Sequence, residues 1–512
     1  MAFEETYLEF LKRLPGVESP IHRLNFKTKL KWTGLILLIY FMLAQIPAYG
    51  IAQRGYEQLR FLEILLGSSF GSIMSLGIGP IVTASIILQL LVGSKIIPWD
   101  LSTETGRALF QGTQKFLAIV FSLVEATIYV VMGAVPAASP SLTGIVIAQL
   151  AAGGILVIFM DELISKWGFG SGISLFIVAG VSKTIIVRAF NPLTQSGSLP
   201  SAANPPAGII PFMITAIASG EPVQALLAFL PIVATILVFL LVIYTNGIKV
   251  EIPLAFGSIR GFGRRWPLKF FYTSNIPVIL TAALLANIQL MGRTLSQRGL
   301  TWIAELDARG NITGGLLYFL TPPRTQALSG LIISIGVFML VGIALAYYTK
   351  RNALKVGSAF AVLGCINWFL FAFSLGMTSL ATIPAIDILR MITYSAFMIG
   401  GAVIFSVFWV TTAGMDAASV AQQIQSTGMQ IPGYRRDVRI IEKVLNRYIP
   451  PLAVLGGAAV GFLAAFADFT GALGTGTGIL LATMIIYNLY EELALQHLED
   501  MHPMVRKLLG RS

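Results

Sequence analysis

VQALLAFLPIVATILVFLLVIYT, residues 223–245, runs for twenty-three residues without a charged side chain. Coiled as an α-helix it is long enough to cross ~30 Å of hydrocarbon, and its apolar residues do not alternate as those of a barrel strand would. It reads as a membrane-spanning helix. The rest of the chain has the same character. Of its 512 residues 55% are hydrophobic and 12% charged, and its mean hydropathy is strongly positive. A soluble domain carries about a quarter charged residues. Backbone groups in lipid must pair internally, which leaves helical bundles or closed barrels. The expectation is an all-α polytopic membrane protein.

Comparable runs place further spans near 32–50, 77–95, 114–136, 143–162, 171–190 and 275–292, then 327–348, 357–378, 388–411, 451–468 and 473–491. Together with 223–245 that makes twelve. Arg23, Lys27, Lys29 and Lys31 precede the first span and put the amino terminus in the cytoplasm. Alternation then gathers Lys95 to Lys115, Lys249 to Lys269, Lys350 to Lys355, Arg435 to Arg447, and the tail with Arg506 and Arg511 on the same side. Both termini are therefore expected in the cytoplasm. Opposite loops such as 191–222 are nearly uncharged and rich in Pro, Ser and Gly. Arg293, Arg298, Arg309 and Arg324 dissent, partly balanced by Glu305 and Asp307. The amino-terminal EETYLEFLKRL, residues 4–14, lacks the order of a cleaved signal and reads as an interfacial helix.

One partly apolar segment, GYEQLRFLEILLGSSFGSIMSLG at 55–77, is too interrupted to span. It is either an external amphipathic helix or a non-spanning helix held inside protein or a water-filled cavity. Two basic loops are longer than topology requires. One, from Gly247 to Tyr272, contains GSIRGFGRRWPLKFF; the other, from Thr412 to Tyr448, contains GMQIPGYRRDVRIIEKVLNRY. Arginine among glycines and aromatics suits a folded hairpin that offers guanidinium forks to phosphate or acidic partners. Positive-inside topology alone would also place basic residues there.

The chemistry-bearing residues are few. Cys365 is the single cysteine, and His22, His497 and His502 lie outside the spans, so no haem, redox or histidine zinc site is expected. Glu125 is the clear ionisable residue in mid-span. Asp468 lies near a span end, and Asp161 and Glu162 at a boundary. A coupled transporter carries more such charges. No P-loop, nucleophile elbow or zinc pair is present. GTGTG at 474–478 opens an apolar helix with no preceding strand and reads as close helix packing. Neither an enzyme nor a cofactor or metal is expected.

Four segments carry a resemblance. SIMSLGIGPIVTASIILQLL (72–91), IFMDELISKWGFGSGISLF (158–176), TSNIPVILTAALLANIQL (273–290) and FADFTGALGTGTGILL (466–481) resemble, in this order, segments of the SecY family. The likeness follows its archaeal and eukaryotic branch and covers nearly the whole chain. It implies ten core helices in two inverted halves around a pore for unfolded polypeptides, with a lateral gate that releases apolar segments into lipid. By motif position the pore ring is Ile78, Val82, Ile173, Ile177, Ile279 and Leu481. The gate contact is Thr83 with Asn287, which Glu125 either joins or leaves to face the pore. The segment near 57–75, with Leu62, Leu65, Leu66, Ser68, Ser69 and Phe70, is the implied plug. Arg260, Arg264, Arg265, Arg435 and Arg436 are the implied ribosome contacts. Implied partners are a SecE-type gamma subunit, a small beta subunit, the ribosome, nascent secretory and membrane proteins, and membrane lipid. The expected organisation is an amino-terminal half at 1–245, a basic loop at 246–274 and a carboxy-terminal half at 275–512. The chain departs from the family in an extra two-helix hairpin at about 327–378, between core helices 7 and 8.

Overall fold

The computed structural model describes residues 2–501 apart from 23, 53–62, 64–66, 102, 195–196, 202–203, 257–262, 298, 308–310, 324, 427–428 and 431–436. Helices dominate it. They are α1 (Ala2–Lys12), α2 (Phe26–Leu43), α3 (Gly79–Gly93), α4 (Glu104–Val131), α5 (Thr143–Trp167), α6 (Gly172–Phe190), α7 (Ile209–Ala218), α8 (Pro222–Asn246) and α9 (Ile276–Gln297). There follow α10 (Gln326–Tyr348), α11 (Ala353–Ser374), α12 (Thr378–Ala381), α13 (Ala385–Thr412), α14 (Ala417–Ser426), α15 (Val438–Leu445), α16 (Ile449–Phe469) and α17 (Gly476–Met501). Among the described residues, nine helices are long and apolar enough to cross a membrane. The expected spans at α2, α3 and α17 fall outside that count. Helix α2 holds three lysines in its first turns, α3 has 15 residues, and α17 turns acidic after Tyr490.

Several boundaries moved for identifiable reasons. The first span sits at 26–43 rather than 32–50. Lys27, Lys29 and Lys31 lie inside the helix, where Lys27 and Lys31 are exposed and Lys29 reaches Gln496 and the Phe169 ring. Helix α4 starts ten residues before the expected 114, because Thr103 Oγ1 accepts from Gly106 N and caps it there. Its early turns receive α1: Tyr7 Oη and Thr113 Oγ1 are 3.0 Å apart, and Phe10 meets Phe116 edge-on. The loop at 191–222 contains α7, ten apolar residues too short for a span and therefore missed. The expected helix at 57–75 needs a sharper correction. Its described end, from Gly67 onward, is a series of turns, with Gly67, Gly71 and Gly77 at positive φ. Left-handed residues of this kind stop a helix. Leu62, Leu65 and Leu66 lie outside the described residues.

The two basic loops meet in one small sheet. Strand β1 (Lys249–Phe256) pairs antiparallel with β2 (Gly263–Lys269), from Lys249 opposite Lys269 to Ala255 opposite Gly263. The other edge of β1 takes β5 (Met429–Gln430), which belongs to the second loop. Below the sheet, Leu268, Val420, Ala421, Ile424, Ile441 and Leu445 form a separate apolar core. Tyr272 Oη donates to Met415 O across this subdomain, and burial together with nearby Asp416 pushes the phenol up to about 12. Arg264 and Arg265 stand on β2 opposite Leu254 and Pro253. Arg260, Arg435 and Arg436 fall outside the described residues. A second, two-stranded sheet, β3 (Glu305–Leu306) with β4 (Ile312–Gly314), lies in the connection after α9.

Helices α10 and α11 form a tight pair. A Cβ on Gly330 would fall 1.9 Å from the Trp368 ring, so the indole closes directly on the α10 backbone. Ser334 Oγ donates to Gly364 O, and Trp368 Nε1 to Leu380 O. The pair is fixed to α8, and to the end of α16 through Ser329 Oγ donating to Phe469 O at 3.0 Å.

Candidate functional site: an aliphatic neck and a polar seam

Four helices and the turn before one of them contribute the six aliphatic candidates to the main apolar core. Ile78 precedes α3 and Val82 lies in its first turn; Ile173 and Ile177 occupy the first turns of α6; Ile279 and Leu481 stand near the starts of α9 and α17. Residues four apart on a helix share a face. Ile78, Val82, Ile177, Ile279 and Leu481 are all buried, at 7% exposure or less, in one cluster, and Ile173 packs against it. The backbone is fixed at this point, because Ile173 N donates to Asp161 Oδ1 at 2.9 Å. The neck is closed.

On one side of the neck opens a cavity of about 790 Å³. Val82, Ile173 and Ile279 form its apolar floor, while Gln89, Gln114 and Gln422 belong to its polar wall. On the other side the segment from Gly67 to Gly77 is tied down by its backbone. Tyr40 Oη donates to Gly67 O, Ala48 N to Gly71 O and Ile73 N to Ile46 O. Ser68 and Ser69 sit in these turns, and Phe70 stacks on Tyr129 with ring centroids 6.0 Å apart.

The second group is a polar seam between α3, α4 and α9. Asn287 Nδ2 donates to Thr83 Oγ1 at 3.2 Å, and Thr83 Oγ1 donates to Glu125 Oε1 at 2.7 Å. Glu125 is 8% exposed and stands with Thr83 and Asn287. Its side chain lies on the buried face of α4, with Ser122, Ala126 and Tyr129.

Two clusters escaped the reading of the sequence. Asp468, 1% exposed, accepts from Tyr394 Oη at 2.7 Å and Thr477 N at 2.9 Å, and from Thr477 Oγ1. These bonds close the turn between α16 and α17. The same turn needs glycine, since a Cβ on Gly476 would lie 1.9 Å from the Ala467 carbonyl carbon. The second cluster surrounds Arg390 at the start of α13. An isolated Asp and an isolated Arg near span ends signalled both, but their partners are mostly distant hydroxyls and carbonyls.

The chain as a whole has well-matched relatives. A family model described as SecY matches residues 72–490. The chain belongs to the SecY family. It is 42% identical to the protein translocase subunit SecY of Methanothermobacter thermautotrophicus, over 99% of each chain. A solved structure of a protein-conducting channel superimposes with a TM-score of 0.76 at 39% identity, covering 96% of this chain and 98% of that one. The Sec61 chain in the canine ribosome-channel complex from the endoplasmic reticulum gives 0.73 at 39%, with the same coverage. This SecY-family chain is a multi-pass membrane protein that acts as a protein-conducting channel and is not an enzyme.

Proposed function

We infer that the aliphatic neck is the pore constriction of this channel, formed by Ile78, Val82, Ile173, Ile177, Ile279 and Leu481. The observation that carries this is that all six belong to or pack against one apolar core, and that Val82, Ile173 and Ile279 line the polar vestibule beside it. Aliphatic side chains exclude water from a narrow neck, yet yield to any passing sequence without binding it. The strapped segment with Ser68, Ser69 and Phe70, preceded by Leu62, Leu65 and Leu66, is the plug beneath it. Thr83, Glu125 and Asn287 form the lateral-gate contact, through which apolar segments leave for lipid. Replacing Ile78 and Ile279 together by serine is expected to raise ion leak through the idle channel severalfold in planar bilayers. An unchanged leak contradicts the assignment.

The rest of the assembly follows in the same reading. Both termini and both Arg loops face the cytoplasm. There Arg260, Arg264, Arg265, Arg435 and Arg436 contact the ribosome, and pairing of β1 with β5 holds the two loops together as one docking platform. A SecE-type gamma subunit and a small beta subunit complete the channel. Helices α10 and α11 are a two-span addition to a ten-helix core, giving twelve spans. A paired insertion leaves the orientation of every later helix unchanged. The halves divide at the basic loop 246–274, as 1–245 and 275–512.

A further inference from the structure

The gate has two seams along which α9 could part from its neighbours, and they are tied very unequally. Toward α3 and α4, α9 is held by the bond from Asn287 to Thr83 at 3.2 Å and by a weak one from Thr294 Oγ1 to Met132 Sδ at 3.8 Å, at the end of α4. Toward α13 it is held along its whole length. Near the sheet, Thr273 Oγ1 and Ser406 Oγ are 2.9 Å apart. In mid-helix, Gly401 of α13 lies against Thr281. At the far end the tie is indirect and much denser. The connection after α9 folds back through β3, β4 and the short turn Leu316–Leu320. Gln289 Nε2 of α9 donates to Leu320 O at 2.9 Å, and Leu317 closes on Gly292, while Ser296 Oγ donates to Ala304 O. This strap is fastened to α9.

Arg390 fastens the same strap to α13. Its Nε donates to Tyr318 O at 3.1 Å, and its Nη2 to Thr321 O at 3.2 Å and Thr321 Oγ1 at 3.1 Å. Nη1 pairs with Asp387 Oδ1 at 3.1 Å, and the guanidinium lies 4.0 Å from the Tyr318 ring centroid. Thr393 Oγ1, one turn on, donates to Phe319 O at 2.7 Å. Asp387 is buried at 4% exposure, and Arg390 is partly buried at 11%. Asp387 also stands in the first turn of its helix, where the dipole favours an anion. Parting the strap from α13 would take the acceptors away from the Arg390 guanidinium and from Thr393, and hydrogen bonds from a charged donor cost more to lose than a neutral one. Where α13 touches α3 directly, Phe408 lies against Gly93, an apolar contact that separates without exposing a charge.

We propose that Arg390 is the positioning residue that joins α9 and α13 into one leaf, so that the gate opens only at the seam between Thr83 and Asn287. Arginine is required because a planar fork meets two strap carbonyls and a carboxylate at once, which the point charge of lysine does not. This rests on the gate reading given above, and the test separates the two.

Cys365 is the only cysteine and is first replaced by serine. Spin labels go on exposed positions: Met291 (α9) with Ile392 (α13) reports within the leaf, and Leu123 (α4) with Met291 reports across the gate. Distances are measured in the complete reconstituted channel, idle and then engaged by a ribosome carrying a stalled secretory chain. In the parent, the 291–392 distance is expected to stay single and unchanged on engagement while the 123–291 distance lengthens. In the pair of substitutions Asp387→Asn and Arg390→Gln, which leaves no stranded carboxylate, the 291–392 distribution broadens on engagement only. Arg390→Lys behaves like that pair. A 291–392 distance that changes in the parent, or stays narrow in the variants, overturns the proposal. A 123–291 distance that never lengthens refutes the gate reading and takes the clasp's role with it.

Discussion

Replacing Asn287 by leucine removes the one hydrogen bond that α9 makes to Thr83 while keeping a side chain of similar size. Thr83 is not stranded by the change, since its hydroxyl still donates to Glu125 Oε1 at 2.7 Å. The loss is therefore that of one neutral interhelical bond. In membranes such a bond contributes about 1 kcal/mol. That corresponds to roughly a fivefold shift in the closed-to-open ratio. The same quantity can be expressed in signal-sequence hydrophobicity. A leucine at the centre of an inserting segment contributes about 0.5 kcal/mol, so Asn287→Leu should compensate for the loss of about two leucines. The assay is translocation of a reporter whose signal core is shortened one leucine at a time, in parent and variant channels. The half-maximal length is expected to fall by about two residues. If the variant needs as many leucines as the parent, or more, the bond does not hold the gate and the reasoning fails.

Asp468→Asn keeps the shape of the α16–α17 turn but weakens charge-assisted bonds from Tyr394 and Thr477. A loss of about 2–3 kcal/mol is expected, read as a lower midpoint of thermal unfolding in detergent with ribosome binding retained. Reversing Arg435 and Arg436 to glutamate should weaken co-sedimentation with ribosomes at moderate salt without changing idle conductance. Unchanged binding counts against the docking platform. A cysteine placed at Lys350, in the turn between α10 and α11, should react only with reagent on the side where the Arg loops are reached. Labelling from the opposite side contradicts twelve spans.

Much of this molecule was legible because lipid imposes simple rules on sequence. Lengths of uncharged chain located most of the helices to within a few residues, and the structure brings Thr83 and Asn287 to within hydrogen-bonding distance. What could not be read depended on partners far apart in the chain. The strap carbonyls that receive Arg390 lie 69 and 72 positions away and have no sequence signature. Asp468 looked like a boundary acid until Tyr394, on another helix, was seen to donate to it. Pairing of β1 with β5 joins segments more than 170 residues apart through only two residue pairs. The segment at 57–75 was expected to be one helix, but from Gly67 onward it runs as turns, with Gly67 and Gly71 at positive φ. Local propensity failed where tertiary contacts decide the backbone.

The most direct test of the account is photocrosslinking from a stalled secretory chain to probes placed at Ile78, Ile173 and Leu481. These three come from different elements and belong to or pack against one apolar core. Crosslinks from all three to the same region of the translocating chain are the predicted result, because one polypeptide must then thread the ring. A complex that still binds ribosomes and releases translocated product, yet gives no crosslink at any of the three, would show that the polypeptide takes another path.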